Sequence, residues 1–154
     1  MATLGFCFES YRLKGSGKPS LGDYSWWLVA VKLVCSQATS FEIRCRRDEP
    51  EAIETGRRFG AQIEDPAAQG LVFRGDITDA FRQELVTRYL FSGCLRWLGL
   101  TLYKNTEPLF LSEEYGTEIC LPNLTNRQLA QLKALSGRYP AIAQVRVYQA
   151  AQSS

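Results

Sequence analysis

The stretch Ser40-Phe41-Glu42-Ile43-Arg44-Cys45-Arg46 alternates without a break. Phe41, Ile43 and Cys45 fall on one side, and Glu42, Arg44 and Arg46 on the other. This period of two marks a strand with one buried and one wet face. Upstream, Tyr24 to Cys35 is rich in Trp and Val and apolar at both alternating positions. That pattern fits a central strand covered on both sides, antiparallel to the Ser40–Arg46 strand. Downstream, Asp48-Glu49-Pro50-Glu51 opens a short helix, with Pro suited to its first position and acids to its first turn. Arg57 and Arg58 suit its last turn, and Gly60 can cap it.

The same signals recur along the chain. Gly70 to Gly75 reads as a short strand. A longer helix starts between Asp76 and Asp79, with Ile77, Phe81, Leu85 and Tyr89 repeating at four and Val86 and Leu90 widening the stripe. Gly93 ends it. Leu98–Lys104 and Pro108–Glu113 pair as a hairpin over Asn105-Thr106-Glu107. Thr125 and Gln128 match a capping box, opening a helix with Leu129, Leu132 and Leu135 that stops at Gly137. Ala141 to Tyr148 is a closing strand, with Val145 and Val147 facing in. Lys14 to Ser20 reads as a mobile loop. The expected fold is α+β, a mostly antiparallel sheet packed by two or three helices. Residues 1–150 form a single domain and residues 151–154 a loose tail.

Composition excludes several function classes. The 154 residues are 45% hydrophobic and 22% charged, with a formal net charge of +2. That charge is too small to argue for a membrane or a nucleic acid by itself. Its distribution says more: seven basic residues lie between Arg12 and Arg47, against only Asp23 and Glu42. The five cysteines form no Cys-x-x-Cys pair, which suits reduced thiols in a cytosolic protein and disfavours a disulfide framework or a zinc site. No targeting segment or bilayer-spanning run is visible.

Histidine is absent altogether. No Ser-His-Asp or Cys-His pair can form, so a nucleophile would need Lys or a carboxylate as its base. Gly15-Ser16-Gly17-Lys18 is no phosphate loop, because Arg12 stands where its first Gly belongs and Pro19 replaces the magnesium-binding Ser or Thr. The paired acids Glu64-Asp65 and Glu113-Glu114 are sequence neighbours, not groups facing each other across a substrate. Tyr24, Trp26 and Trp27 could stack bases, with at most one of the two Trp serving because they face opposite sides of a strand, but core packing accounts for them better. The basic residues Lys14, Lys18, Arg44, Arg46, Arg47, Arg57 and Arg58 remain as candidates for gripping phosphates. The bland alternative is a soluble surface whose arginines pair with Glu42, Glu51 or Glu54. No catalytic residue, metal ligand, cofactor or small-molecule substrate is indicated.

Cys94-Leu95-Arg96-Trp97-Leu98, leading to Phe110-Leu111-Ser112-Glu113, resembles a region of the small accessory subunits of type III-D CRISPR effector complexes. The likeness covers about twenty of the 154 residues and transfers no individual functional residue. It implies a non-catalytic protein docked in an RNA-guided complex, with other protein subunits and RNA as partners. Two alternatives stand beside it: a stand-alone protein-interaction domain, such as an inhibitor or immunity protein, and a small enzyme using carboxylate or Lys chemistry.

Overall fold

The Ser40 strand lies inside an eight-stranded sheet and is antiparallel to both its neighbours. The structure, a computed structural model, describes residues 2–8, 11–12, 15, 17–21, 23–136 and 142–149. β1 (Ala2–Phe8) comes first, then a short ribbon of β2 (Tyr11–Arg12) and β3 (Pro19–Ser20). α1 (Ser25–Val34) leads into β4 (Ser40–Cys45). α2 (Pro50–Phe59) leads into β5 (Ala61–Ile63) and β6 (Leu71–Asp76). α3 (Asp79–Thr87) precedes a hairpin of β7 (Leu90–Phe91) and β8 (Cys94–Leu95). β9 (Gly99–Lys104), β10 (Glu107–Glu113) and β11 (Glu118–Leu124) form a meander, followed by α4 (Asn126–Ser136) and β12 (Ile142–Gln149). The sheet order is β12-β1-β11-β10-β9-β4-β6-β5, and every pairing is antiparallel. The fold is α+β, as the mixed pattern of strands and helices implied.

Register assigns the faces. Phe41 pairs with Leu102, which pairs with Phe110. Ile43 pairs with Phe73 on one side and with Leu100 on the other, and Leu100 pairs with Ser112. Three helices cover this side. The Trp27 indole N–H of α1 donates to Ser112 Oγ at 3.0 Å. Phe81 of α3 stacks on Phe41 with ring centroids 4.0 Å apart. Gly56 of α2 lies against the Phe73 ring. The opposite side of β4 carries Glu42 and Arg44.

The Gly56 contact yields a test. A mid-helix Gly→Ala change ordinarily gains about 1 kcal/mol. Here the added Cβ would stand 2.4 Å from Phe73 Cγ, and that ring is fully buried. Overpacking costs about 1–3 kcal/mol. Gly56→Ala should therefore lose about 0–2 kcal/mol net in urea denaturation, and a gain would refute the packing of α2 on β6.

Five expectations change. Tyr24 to Cys35 is not a strand: Ser25–Val34 is a helix. Its apolar residues alternate on both faces because the helix is buried on several sides, with Trp26, Trp27, Ala30, Val31 and Val34 all inside. Trp26 and Trp27 are both core residues, so neither offers a stacking face. The helix begun at Thr78 stops at Thr87, and Leu90 and Phe91 belong to the β7–β8 hairpin. Gly93 is no helix stop but the second residue of that hairpin's turn, with Ser92 at φ 51° and Gly93 at φ 85°. This two-residue turn with both φ positive matches the strand twist. The Lys14–Ser20 loop ends in β3, where Pro19 and Ser20 are buried. β1, β2, β5 and β11 were not foreseen.

Other expectations hold. The β9–β10 connection turns at Asn105-Thr106, with Asn105 at φ 57° and Glu107 already in the strand. The capping box forms: the Gln128 N–H donates to Thr125 Oγ1, and the Thr125 N–H donates to Gln128 Oε1. The chain's continuation at Gly137, the inward placing of Val145 and Val147, and the 151–154 tail lie outside the described residues and side chains. No helix among the described residues is long and apolar enough to cross a membrane.

Candidate functional site

The other side of the sheet, expected to be half-exposed, carries a largely buried ladder of charges, with Glu42 8% and Thr101 2% exposed, not a basic stripe. Arg44 reaches Glu42 on its own strand, Thr101 Oγ1 on β9 at 3.0 Å and Glu113 on β10. Glu42 also accepts from Arg74 Nε on β6 at 2.8 Å. Two arginines thus face two carboxylates across four strands, and the local charge cancels. Gly99 makes room for this, since a Cβ there would meet the Arg44 guanidinium at 2.6–2.9 Å. Burial holds Glu113 above the ordinary carboxylate value despite the Arg44 charge beside it. Arg44 is therefore a sheet tie, as the pairing alternative had it for Glu42.

Lys18 and Arg46 meet at Tyr115. Lys18 Nζ stands 5.3 Å from the centre of its ring and the Arg46 guanidinium 5.7 Å, both within cation–π range. Glu49, only 1% exposed, ties the group together. It accepts from Lys18 Nζ at 2.5 Å, from the Tyr115 hydroxyl at 3.0 Å and from the Arg46 backbone N–H at 2.7 Å. Burial, and then the Glu49 charge, push the Tyr115 hydroxyl up, so it remains protonated and donates. Glu114 and Tyr115 both hold left-handed backbone, costing about 1–2 kcal/mol each. Burying the Tyr115 ring offsets that cost. Arg44 and Arg46 also line a cleft of about 410 Å³ with Gln69, Gly70, Leu98 and Glu114.

A second group forms where α2 meets α3. Glu84 is 5% exposed, and three guanidinium groups surround it. Arg96 lies 3.5 Å from Glu84 Oε1, Arg88 3.7 Å from the same oxygen, and Arg58 3.9 Å from Oε2. Arg96 is itself 7% exposed and also donates to Thr55 Oγ1 at 3.2 Å. Among the described residues its Nε finds no partner. Burial, and then the Arg88 charge, lower its pKa. Arg58 approaches Glu54 at 4.0 Å, and Arg57 joins it along a groove of about 480 Å³ with Pro50, Ile53 and Glu54. Counting Glu54 as well as Glu84, the group keeps a positive surplus.

The six candidates within the described residues thus fall apart. Lys18, Arg44 and Arg46 gather near the Tyr115 turn, with Lys18 and Arg44 engaged by carboxylates. Arg57 and Arg58 lie on α2. Arg47 is exposed in the turn after β4. Lys14 lies outside the described residues. Sequence reasoning missed Glu84, Arg88 and Arg96. The Glu84–Arg88 spacing of four on a helix was a usable signal. Arg96 gave none, standing between apolar neighbours with its partners set by the fold.

The described cysteines Cys35, Cys45, Cys94 and Cys120 are free thiols. Burial pushes Cys45 up to about 12. No group of His, Cys, Asp and Glu among the described residues is placed to hold a metal ion. No protein-family model matches the chain, and no curated protein or solved structure matches it either.

Proposed function

We propose that the chain is a non-catalytic accessory subunit of a larger assembly, of the kind found in the type III-D CRISPR complexes it resembles, contacting neighbouring subunits and an RNA backbone. The observation that carries the reading is the exposed arginines Arg57, Arg58 and Arg88, which outnumber Glu54 beside the buried Arg96–Glu84 pair. Guanidinium groups held loosely, at 3.7 to 4.0 Å from their carboxylates, can turn outward to phosphates without unsatisfying a tight pair. The strand-face arginines support it less, since Arg44 is neutralised. Lys18, Glu49 and Tyr115 do converge, but they are spent on one another, which weighs against the enzyme alternative.

Charge-altering variants test the reading. Arg57→Glu combined with Arg58→Gln should weaken binding of single-stranded RNA and flatten its salt dependence by about 1.4 in log K against log salt, at about 0.7 per phosphate contact. Unchanged affinity in a variant with wild-type circular dichroism would contradict it. The exposed side chains of Leu90 and Phe91 favour a second reading, a stand-alone protein-interaction or inhibitor domain. Such a domain would bind one protein partner with no RNA dependence.

A further inference from the structure

The cleft of about 410 Å³ opens where β4 stops and its neighbours part, at the start of β6 and just before β9. Its volume is that of a small-molecule site. The charges around it are nearly all matched. Arg44 and Arg74 are met by Glu42 and Glu113, and Lys18 by Glu49. Two charged groups of the lining are left over, Arg46 and Glu114. Both are exposed, and among the described residues neither has an ion-pair partner, so they share one cleft without reaching each other. Both are also held in place. The Arg46 N–H donates to Glu49 at 2.7 Å, and its guanidinium lies 5.7 Å from the centre of the Tyr115 ring. Glu114 opens a run of three left-handed residues, with φ 49°, 56° and 80° at Glu114, Tyr115 and Gly116. That turn is pinned by the Tyr115 N–H, which donates to the Leu98 carbonyl at 3.1 Å, and by the Tyr115 hydroxyl, which donates to Glu49 at 3.0 Å. One buried carboxylate thus anchors both sides of the cleft. The lining also includes the apolar residues Ala68, Leu71 and Leu98.

We infer that this cleft binds a small zwitterion, an apolar amino acid or dipeptide. Its carboxylate pairs with Arg46, its ammonium group pairs with Glu114, and its side chain lies against the apolar part of the lining. A lone anion fits less well, because Glu114 repels it, and Arg46 repels a lone cation in the same way. A ligand with both charges satisfies both groups. Their fixed positions cut the ordering cost of binding. The site uses none of the arginines around Glu84, so it stands or falls apart from the RNA reading.

The test is a ligand-observed NMR titration of the full chain with L-leucine, L-leucyl-L-leucine and inorganic phosphate. Wild type should bind leucine or the dipeptide, and the better binder identifies the ligand as amino acid or peptide. The N-acetylated form of that binder lacks the ammonium charge, and its amide lacks the carboxylate. Each should bind about 10- to 150-fold more weakly. Arg46→Gln should weaken the zwitterion by a similar factor and leave the amide unchanged. Glu114→Gln should weaken the zwitterion and leave the N-acetylated form unchanged. Both side chains are exposed, so circular dichroism and thermal unfolding of the variants should match wild type. If neither leucine nor the dipeptide binds at millimolar concentration, the inference is overturned. It is overturned equally if both variants hold the better binder as well as wild type does. If phosphate binds more tightly than either zwitterion, and Glu114→Gln tightens it further, the cleft is an anion seat and the zwitterion reading falls.

Discussion

A Trp27→Ala variant loses about 3–5 kcal/mol of stability, enough to leave a domain of this size barely folded. Trp27 is fully buried and touches three other rings. Tyr89 stacks on it, Trp97 lies tilted at 6.3 Å, and Phe110 meets it edge-on at 5.8 Å. Its indole N–H bonds Ser112 on β10, so the ring is the joint between α1 and the middle of the sheet. Removing it opens a cavity ringed by large aromatics, which cannot close without moving both elements. Trp27→Phe keeps most of the apolar contact and loses the hydrogen bond, so it should cost much less. The measurement is urea denaturation with a wild-type slope. An alanine variant within about 1 kcal/mol of wild type would mean that Trp27 does not join helix to sheet.

Glu84→Gln should cost about 3 kcal/mol, the second largest effect. The change keeps shape and one acceptor oxygen but removes the charge that three arginines surround. Arg58 and Arg88 are half-exposed, and water can take over their solvation. Arg96 is buried and cannot recover what it loses. Leaving a buried charge without its partner is the costly case, far more than breaking a surface pair. Arg88→Gln supplies the contrast: its side chain is 56% exposed, and it should fall within about 0.5 kcal/mol of wild type. Equal losses for the two variants would show that the burial of Arg96 is not what makes Glu84 necessary.

Local patterns in the sequence were reliable where the two faces of an element differ in polarity. Ser40–Cys45 alternates because its two faces meet different surroundings, and Thr125–Gln128 announces a helix start by a bond spanning three residues. α1 was misread for the opposite reason. With little of it wet, its apolar positions lose their phase, and its aromatic and β-branched residues suggest a strand. The helical spacing of Trp27, Ala30, Val31 and Val34 was present but not distinctive. β11 contains Pro122, which lowers any strand reading, and β1 is interrupted by Gly5. For the site, Arg57 and Arg58 were legible from the helix dipole. Glu49 and Arg96 were not, because their meaning lies in distant partners: Tyr115 is 66 residues from Glu49, and Thr55 is 41 from Arg96. Arg44 and Arg46 line one cleft, but Arg46 lies beyond the end of β4, and Glu113, 69 residues away, neutralises Arg44. Sequence spacing gives a residue's direction but not the charge it will face.

The most direct measurement of the proposed role is a native pull-down of the tagged full chain from its own cells, with and without ribonuclease, read by mass spectrometry and RNA sequencing. An accessory subunit of a ribonucleoprotein should bring down larger subunits together with a bound RNA. The RNA-dependent part should be lost on ribonuclease treatment or at high salt. Recovery of a single protein partner that survives both treatments, with no RNA, would contradict the account and leave the arginines around Glu84 as ordinary surface.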